Sequence, residues 1–328
     1  VVRGISFLLF TYNPDLVIIK RVLQSIQRVQ IPESIEMEYL VIDNKSTSDW
    51  LIELKDEIKS FPFQVIEEKR QGLTFSRIKG FELAKGDWII CVDDDNELKS
   101  NYLIELQTLI ADYPQVCVWG PGKIAVEYLQ GAPEWVINYK GLFQEKNFST
   151  VQYGNEHHWM FYYPAGTGMC LSSKVAQAYL SHVASGKMTA SDRKGKSLSS
   201  GGDSQVVYAG ILSGKAAGVA PSLQANHLIG EGKTNLEYMK RLNFGVSSCW
   251  SVHIEVFPEM RASLKEPNFL DFLSFFFLNF WKSRFGYNAH RFQIPLAKHM
   301  GTIYSYYDVN HTKMPFIYRK IIQFYKFR

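Results

Sequence analysis

Trp88-Ile-Ile-Cys-Val-Asp-Asp-Asp95 joins a short apolar run to three consecutive carboxylates. A run this short and this apolar reads as a strand buried on both faces of a sheet. Three adjacent carboxylates at its carboxyl end repel one another unless a cation sits among them. Oxygen ligands suit Mg²⁺ or Mn²⁺, with phosphate oxygens completing the shell. Taken alone, the triplet reads equally as a solvated acidic turn. Its neighbours favour the metal site.

Outward from this strand, apolar runs alternate with helical patterns. Ile5-Ser-Phe-Leu-Leu-Phe10, Tyr39-Leu-Val-Ile42, Phe63-Gln-Val-Ile66 and Val116-Cys-Val-Trp119 are further strands. Helical spacing covers residues 16–29, 74–84 and 100–111, and Ser48 or Asp49 is placed to cap a helix through Ile58. Strand–helix alternation predicts an α/β protein with a mainly parallel sheet covered on both faces. Such sheets bind ligands beyond the carboxyl ends of their strands. The loops at residues 11–14, 43–48, 67–73 and 93–97 are therefore the ones expected to carry function. Thr11-Tyr-Asn-Pro14 has neither G-x-G-x-x-G nor a P-loop, which disfavours a dinucleotide or Walker-type site. Residues 121–165, rich in Trp, Tyr and Gly, give no clear period. Residues 169–180 return to a strand-to-helix pattern, residues 185–202 read as a polar loop, and residues 204–212 as a helix.

Composition narrows the class. The chain has 328 residues, 46% hydrophobic and 21% charged, which excludes a disordered, collagenous or coiled-coil protein. Cys91, Cys117, Cys170 and Cys249 are far apart, so neither a zinc ribbon nor a disulfide scaffold is expected. Reduced, buried thiols in a cytoplasmic protein are the simpler reading. Val1-Val2-Arg3-Gly4 leads directly into a strand-like run without a leader pattern, and the chain starts without Met.

Four segments occur in order: Phe10-Thr-Tyr-Asn-Pro14, Val41-Ile-Asp-Asn-Lys-Ser-Thr47, Gly72-Leu-Thr-Phe-Ser-Arg-Ile-Lys-Gly80 and Ala84-Lys-Gly-Asp-Trp-Ile-Ile-Cys-Val-Asp-Asp-Asp95. Together they resemble the family 2 glycosyltransferases of the GT-A fold, inverting enzymes that use nucleotide-diphosphate sugars. The resemblance is strong over residues 5–100. It continues more weakly through Ala165-Gly-Thr-Gly-Met169 and Gly201-Gly-Asp-Ser-Gln205, to about residue 245. It implies a nucleotide-sugar site at Thr11, Tyr12, Asn13, Asp43, Asn44, Gly72, Arg77, Asp93 and Asp94. Thr11 and Asp43 would hold base and ribose, and Arg77 would reach the diphosphate. Mn²⁺ or Mg²⁺ would sit on Asp95, with Asp93 and His227 as further contacts. Gly166, Thr167 and Trp159 would face the acceptor. The family's base motif, of Gly-Glu-Asp-x-Glu type, is altered here to Gly201-Gly-Asp-Ser-Gln205. Only Asp203 remains to take the acceptor proton, its other reading being an N-cap for the helix that follows.

The resemblance implies residues 1–260 as the transferase, with 1–120 holding the nucleotide sugar and 121–260 the acceptor. Expected partners are a nucleotide-diphosphate sugar and a glycan or lipid-linked acceptor, in bacterial surface glycan assembly; nucleic acid is not expected. The alternatives are a sugar-1-phosphate nucleotidyltransferase, disfavoured by the first loop, and a catalytically silent carbohydrate- or membrane-binding relative. Residues 261–328 form a separate basic, aromatic appendage with 11 Lys+Arg against 3 Asp+Glu. Its apolar run, Phe269 to Trp281, is too short to span a bilayer. Lying in the interface of the inner face of the cell membrane is one reading, and packing on the core or a dimer contact is the other.

Overall fold

The computed structural model describes residues 2–189, 192–193 and 198–328. The chain order begins β1 (Gly4–Thr11), α1 (Leu16–Gln27), β2 (Glu36–Asp43), α2 (Trp50–Glu53), α3 (Lys55–Lys59), β3 (Phe63–Glu67) and α4 (Leu73–Leu83). Then come β4 (Trp88–Asp93), β5 (Asn96–Leu98), α5 (Tyr102–Asp112), β6 (Val116–Tyr128), α6 (Glu134–Ile137), β7 (Lys146–Asn147) and β8 (Gln152–Gly154). The remainder is β9 (Cys170–Ser172), α7 (Ser173–Ala184), α8 (Gly202–Leu212), β10 (Ala216–Ile229), α9 (Leu236–Ser247), α10 (Trp250–Val256), α11 (Phe269–Lys282), α12 (Ala289–Val309) and α13 (Phe316–Phe324).

One mixed sheet runs β3-β2-β1-β4-β9-β6-β10-β5, with β7 on β6 and β8 on β10. The first four strands of that order are parallel. The short β9 enters antiparallel between β4 and β6, so the parallel character expected from sequence is interrupted at mid-sheet. One apolar layer packs α1 and α5 against Phe7, Leu9, Ile90 and Val92; the other packs α4, α7 and α8 against Leu8, Phe10, Ile89 and Cys91. The two layers take alternate residues of β1 and β4, as a strand buried on both faces requires.

Two expectations are corrected. The helix capped at Asp49 and running through Ile58 is instead α2 and α3, divided at Leu54, and Asp49 makes no side-chain cap bond. Leu54 and Trp50 are both drawn into the core, and that burial outweighs helical continuity. The strand read over residues 116–119 continues to Tyr128, because β10 pairs with it throughout, with register shifts near Ala216 and Ala220. Pro121 and Gly122 lie within the strand, where tertiary pairing overrides local propensity. All four cysteines are free and buried.

The terminal helices are not isolated from the rest of the chain. Phe244 of α9 shares an apolar cluster with Phe272, Phe292, Met300, Tyr318 and Phe327. Asn243 donates to the Ile294 carbonyl at 3.0 Å, tying α9 to α12. Among the described residues, no helix is long and apolar enough to cross a membrane.

Candidate active site

The carboxyl ends of β1 and β4 open into a cleft of about 380 Å³. Thr11, Tyr12, Asn44, Arg77, Asp93, Asp94, Asp95, Gly166, Thr167, Asp203 and His227 all line it. Eleven of the residues singled out from sequence therefore meet in one place. Asn13, Asp43 and Gly72 do not line it. The Asn13 side-chain oxygen accepts from the Thr47 and Ser48 amides at 2.7 and 3.1 Å, which joins the first loop to the second. Asp43 accepts from the Ser46 hydroxyl at 2.5 Å and from Trp50 Nε1 at 3.3 Å. Asn44 accepts from the Gly72 amide at 2.7 Å and donates to the Arg70 carbonyl at 2.7 Å. These three residues hold the loops that shape the cleft.

Each member of the acidic triplet has a different environment. Burial pushes the Asp93 carboxyl up, with Arg77 opposing. Asp94 accepts from the Thr11 hydroxyl at 2.6 Å; burial and the adjacent Asp95 charge drive it up to about 7. For Asp95, burial is outweighed by Lys233 and His227, which hold it well below the usual carboxylate range. Lys233 Nζ lies 2.5 Å from Asp95 Oδ2, and His227 Nε2 lies 3.3 Å from it. The pairing of β5 with β10 sets His227 opposite Asn96, one residue from Asp95. Arg21 fastens this corner, bonding Glu97 at 2.8 Å and Glu127 at 2.7 Å.

Across the cleft, Arg77 is buried and paired with Asp192 at 2.9 Å. Asp192 also accepts from the Gly202 amide at 2.8 Å, and its own amide donates to Thr74 Oγ1 at 3.0 Å. A Cβ on Gly166 would stand 2.7 Å from Arg77 Nη2, so the guanidinium lies where only glycine leaves room.

Asp203 lies inside the first turn of α8, whose N-cap is Gly201 with φ 147°. The helix begins one residue before Asp203, so this side chain does not cap it. Its Oδ2 accepts from the Gly166 amide at 3.1 Å. Asp203 also lines a second cavity of about 790 Å³, together with Lys146, His157, His158, Trp159, Trp250 and His253. One carboxylate thus faces both spaces.

Residues 6–167 match the profile described as Glycosyl transferase family 2. That segment belongs to glycosyl transferase family 2. An uncharacterized glycosyltransferase MG060 homolog of Mycoplasma pneumoniae is 36% identical over an alignment of 118 positions that covers 34% of this chain and 39% of that protein. The match therefore spans well under half of the curated relative. A solved mannosyltransferase, PcManGT of Pyrobaculum calidifontis in complex with GDP-Man and Mn²⁺, superposes with TM-score 0.52 at 14% identity, covering 99% of this chain and 84% of that one. TarS 1-349 of S. aureus aligns at TM-score 0.44 and 13% identity, over 79% of this chain and 72% of its own. The architecture is the GT-A fold, with a helical C-terminal region.

His227 Nδ1 contacts the Phe143 carbonyl at 2.8 Å, and a carbonyl only accepts, so Nδ1 carries the proton. Nε2 is then the ring nitrogen directed at Asp95, and a backbone partner on the other nitrogen orients an imidazole in this way. No group of three His, Cys, Asp or Glu side chains is arranged to hold an ion among the described residues. Asp95 and His227 are two ligands at most, so a divalent ion there would have to draw its remaining ligands from phosphate oxygens and water.

Sequence reading missed Asp192, Lys233, Lys146 and His253. Burial lowers Lys146 to about 8 and His253 to about 4, so the latter lines the second cavity as a neutral ring. None of the four belongs to a local pattern; only Arg193 and the other cations of residues 185–202 were noted there. Of these, Lys194 and Lys196 lie outside the described residues, whereas Arg193 lines the first cleft.

Proposed function

We propose that this chain is an inverting, metal-assisted glycosyltransferase that moves a sugar from a nucleotide-diphosphate donor to a hydroxyl of a glycan or lipid-linked acceptor. The observation that carries the reading is Asp203, a single carboxylate on the wall shared by two cavities, one of them holding the acidic triplet and Arg77. The donor would occupy the first cleft, with Thr11, Tyr12, Asn44 and Asp93 toward the nucleoside and Arg77 toward the diphosphate. A divalent ion on Asp95 and His227 would supply charge neutralisation at the leaving diphosphate. The acceptor would enter the second cavity, where Trp159 and Trp250 offer apolar faces suited to sugar rings. Asp203 takes the hydroxyl proton as the oxygen attacks the anomeric carbon in line, which inverts that centre. Gly166 and Thr167 line the donor cleft beside Asp203, so they would border the transferred sugar.

Calorimetric titration of UDP and GDP tests the metal site. Mn²⁺ is expected to strengthen binding of the matching nucleotide by about tenfold or more, and Asp95→Ala to remove the enhancement. Equal affinity with and without the ion in the wild type would sink this part.

Bacterial surface glycan assembly at the inner face of the cell membrane is part of the same reading. It is supported by α11, which buries Phe272 yet exposes Leu270, Phe277 and Trp281 on another face, at 70%, 62% and 69%. Lys282 and Arg284 stand exposed at its end beside Phe285 and Tyr287. Aromatic rings with cations at the rim of an apolar face match an anionic lipid surface. Packing on the core accounts for the other face. Residues 261–328 would then be the lipid-facing part of the molecule, and residues 1–260 the catalytic part. Co-sedimentation with anionic vesicles at low salt is expected, and the triple change Leu270→Ser, Phe277→Ser, Trp281→Ser should weaken it about tenfold or more. No sedimentation of the wild type would refute the membrane reading.

A further inference from the structure

Lys233 belongs to no motif, yet its ammonium lies on the very carboxylate oxygen that faces His227. Asp95 Oδ1 is already engaged by Asn96 Nδ2 at 2.8 Å, so Oδ2 is the oxygen left for a cation. His227 Nε2 stands 3.3 Å from the same Oδ2, so one oxygen is where both side chains converge. The cation resting on it is Lys233 Nζ, 2.5 Å away. The wider cleft sharpens the demand for positive charge: Asp93, Asp94, Asp95, Asp192 and Asp203 all line it, and Arg77 is engaged by Asp192.

We infer that Lys233 is a built-in competitor for the divalent ion: its ammonium occupies the cation position at Asp95 and His227 in the free protein, and metal binding requires it to swing away. The inference rests on the metal-assisted donor site proposed above. Lys233 closes a three-residue 3₁₀ turn, Glu231–Lys233, that precedes α9. Its side chain is 34% exposed, so part of the stem borders solvent. A lysine is a compact charge on a flexible four-carbon chain, well suited to leave one carboxylate and stay in the same cleft. Once displaced, it adds positive charge beside an incoming diphosphate. The arrangement makes the ion bind poorly alone and well together with a nucleotide. Apparent affinity for the ion alone falls by the fraction of molecules in which Lys233 is off Asp95.

The test is titration of Mn²⁺ alone into the nucleotide-free full chain, followed by calorimetry or by the spin resonance of free Mn²⁺. Lys233→Met and Lys233→Gln, measured in parallel with thermal melts, should bind Mn²⁺ about tenfold or more tightly than the wild type. Lys233→Arg keeps the charge and should stay near the wild-type value. If neither neutral variant binds Mn²⁺ more tightly, while Mn²⁺ still strengthens UDP or GDP binding by the wild type, the competitor role is wrong and the donor site stands. If Mn²⁺ binds no variant and changes no nucleotide affinity, both ideas fall together.

Discussion

Asp203→Asn is expected to lower turnover by on the order of 10²-fold or more while leaving donor affinity within about threefold. Asparagine keeps a side-chain oxygen to accept the Gly166 amide, so the turn joining residue 166 to α8 retains its geometry. What it loses is basicity, and the acceptor hydroxyl then has no group to take its proton as it attacks. A hundredfold loss corresponds to about 2.7 kcal/mol of transition-state stabilisation. Nucleotide binding by calorimetry and transfer rate with a panel of acceptors separate the two effects. Turnover within about threefold of the wild type would leave Asp203 as an orienting contact for Gly166 and nothing more.

Arg77→Met should reduce folding stability by about 3–5 kcal/mol, the usual cost of removing one partner of a buried ion pair. Arg77 and Asp192 side chains are each 5% exposed, and their bond joins α4 to the segment that leads into α8. Burial already drives the Asp192 carboxyl up to about 6 against the opposing charge of Arg77. Without the guanidinium it rises further, so the folded variant binds a proton that the unfolded chain releases near pH 4. A folded-state value above the unfolded one means stability is lost as pH rises. The variant should therefore lie closer to the wild type at pH 5.5 than at pH 7.5 in urea denaturation. Adding Asp192→Asn should recover part of the loss at pH 7.5, because the amide still accepts from Gly202 without a charge to bury. A single variant as stable as the wild type at both pH values would show that the pair contributes nothing to the fold.

Much of this was legible in the one-dimensional pattern. Alternating apolar runs located β1 to β4, and a carboxylate triplet ending a buried strand pointed to the ligand-facing edge. Those signals are local: strand burial and loop chemistry are written within ten residues of each other. The tertiary structure decided how distant pieces meet. Lys233 reaches Asp95 across 138 positions, and His227 arrives only because β10 pairs with β5. Asp192 sits in a polar loop whose composition announces nothing, and becomes significant only where Arg77 is buried against it. The breaks at Leu54 and the continuation of β6 past Pro121 have the same origin. In each case long-range burial or pairing outweighs a local preference of about 1 kcal/mol or less per residue. The sequence by itself determined the order of β1 to β4 and the helices between most of them, and pointed to the loops at their carboxyl ends, because periodicity and loop composition are local. Which cation rests on which carboxylate, and that Asp203 faces two cavities, was decided by tertiary packing, because contact between residues a hundred or more positions apart leaves no mark in local periodicity.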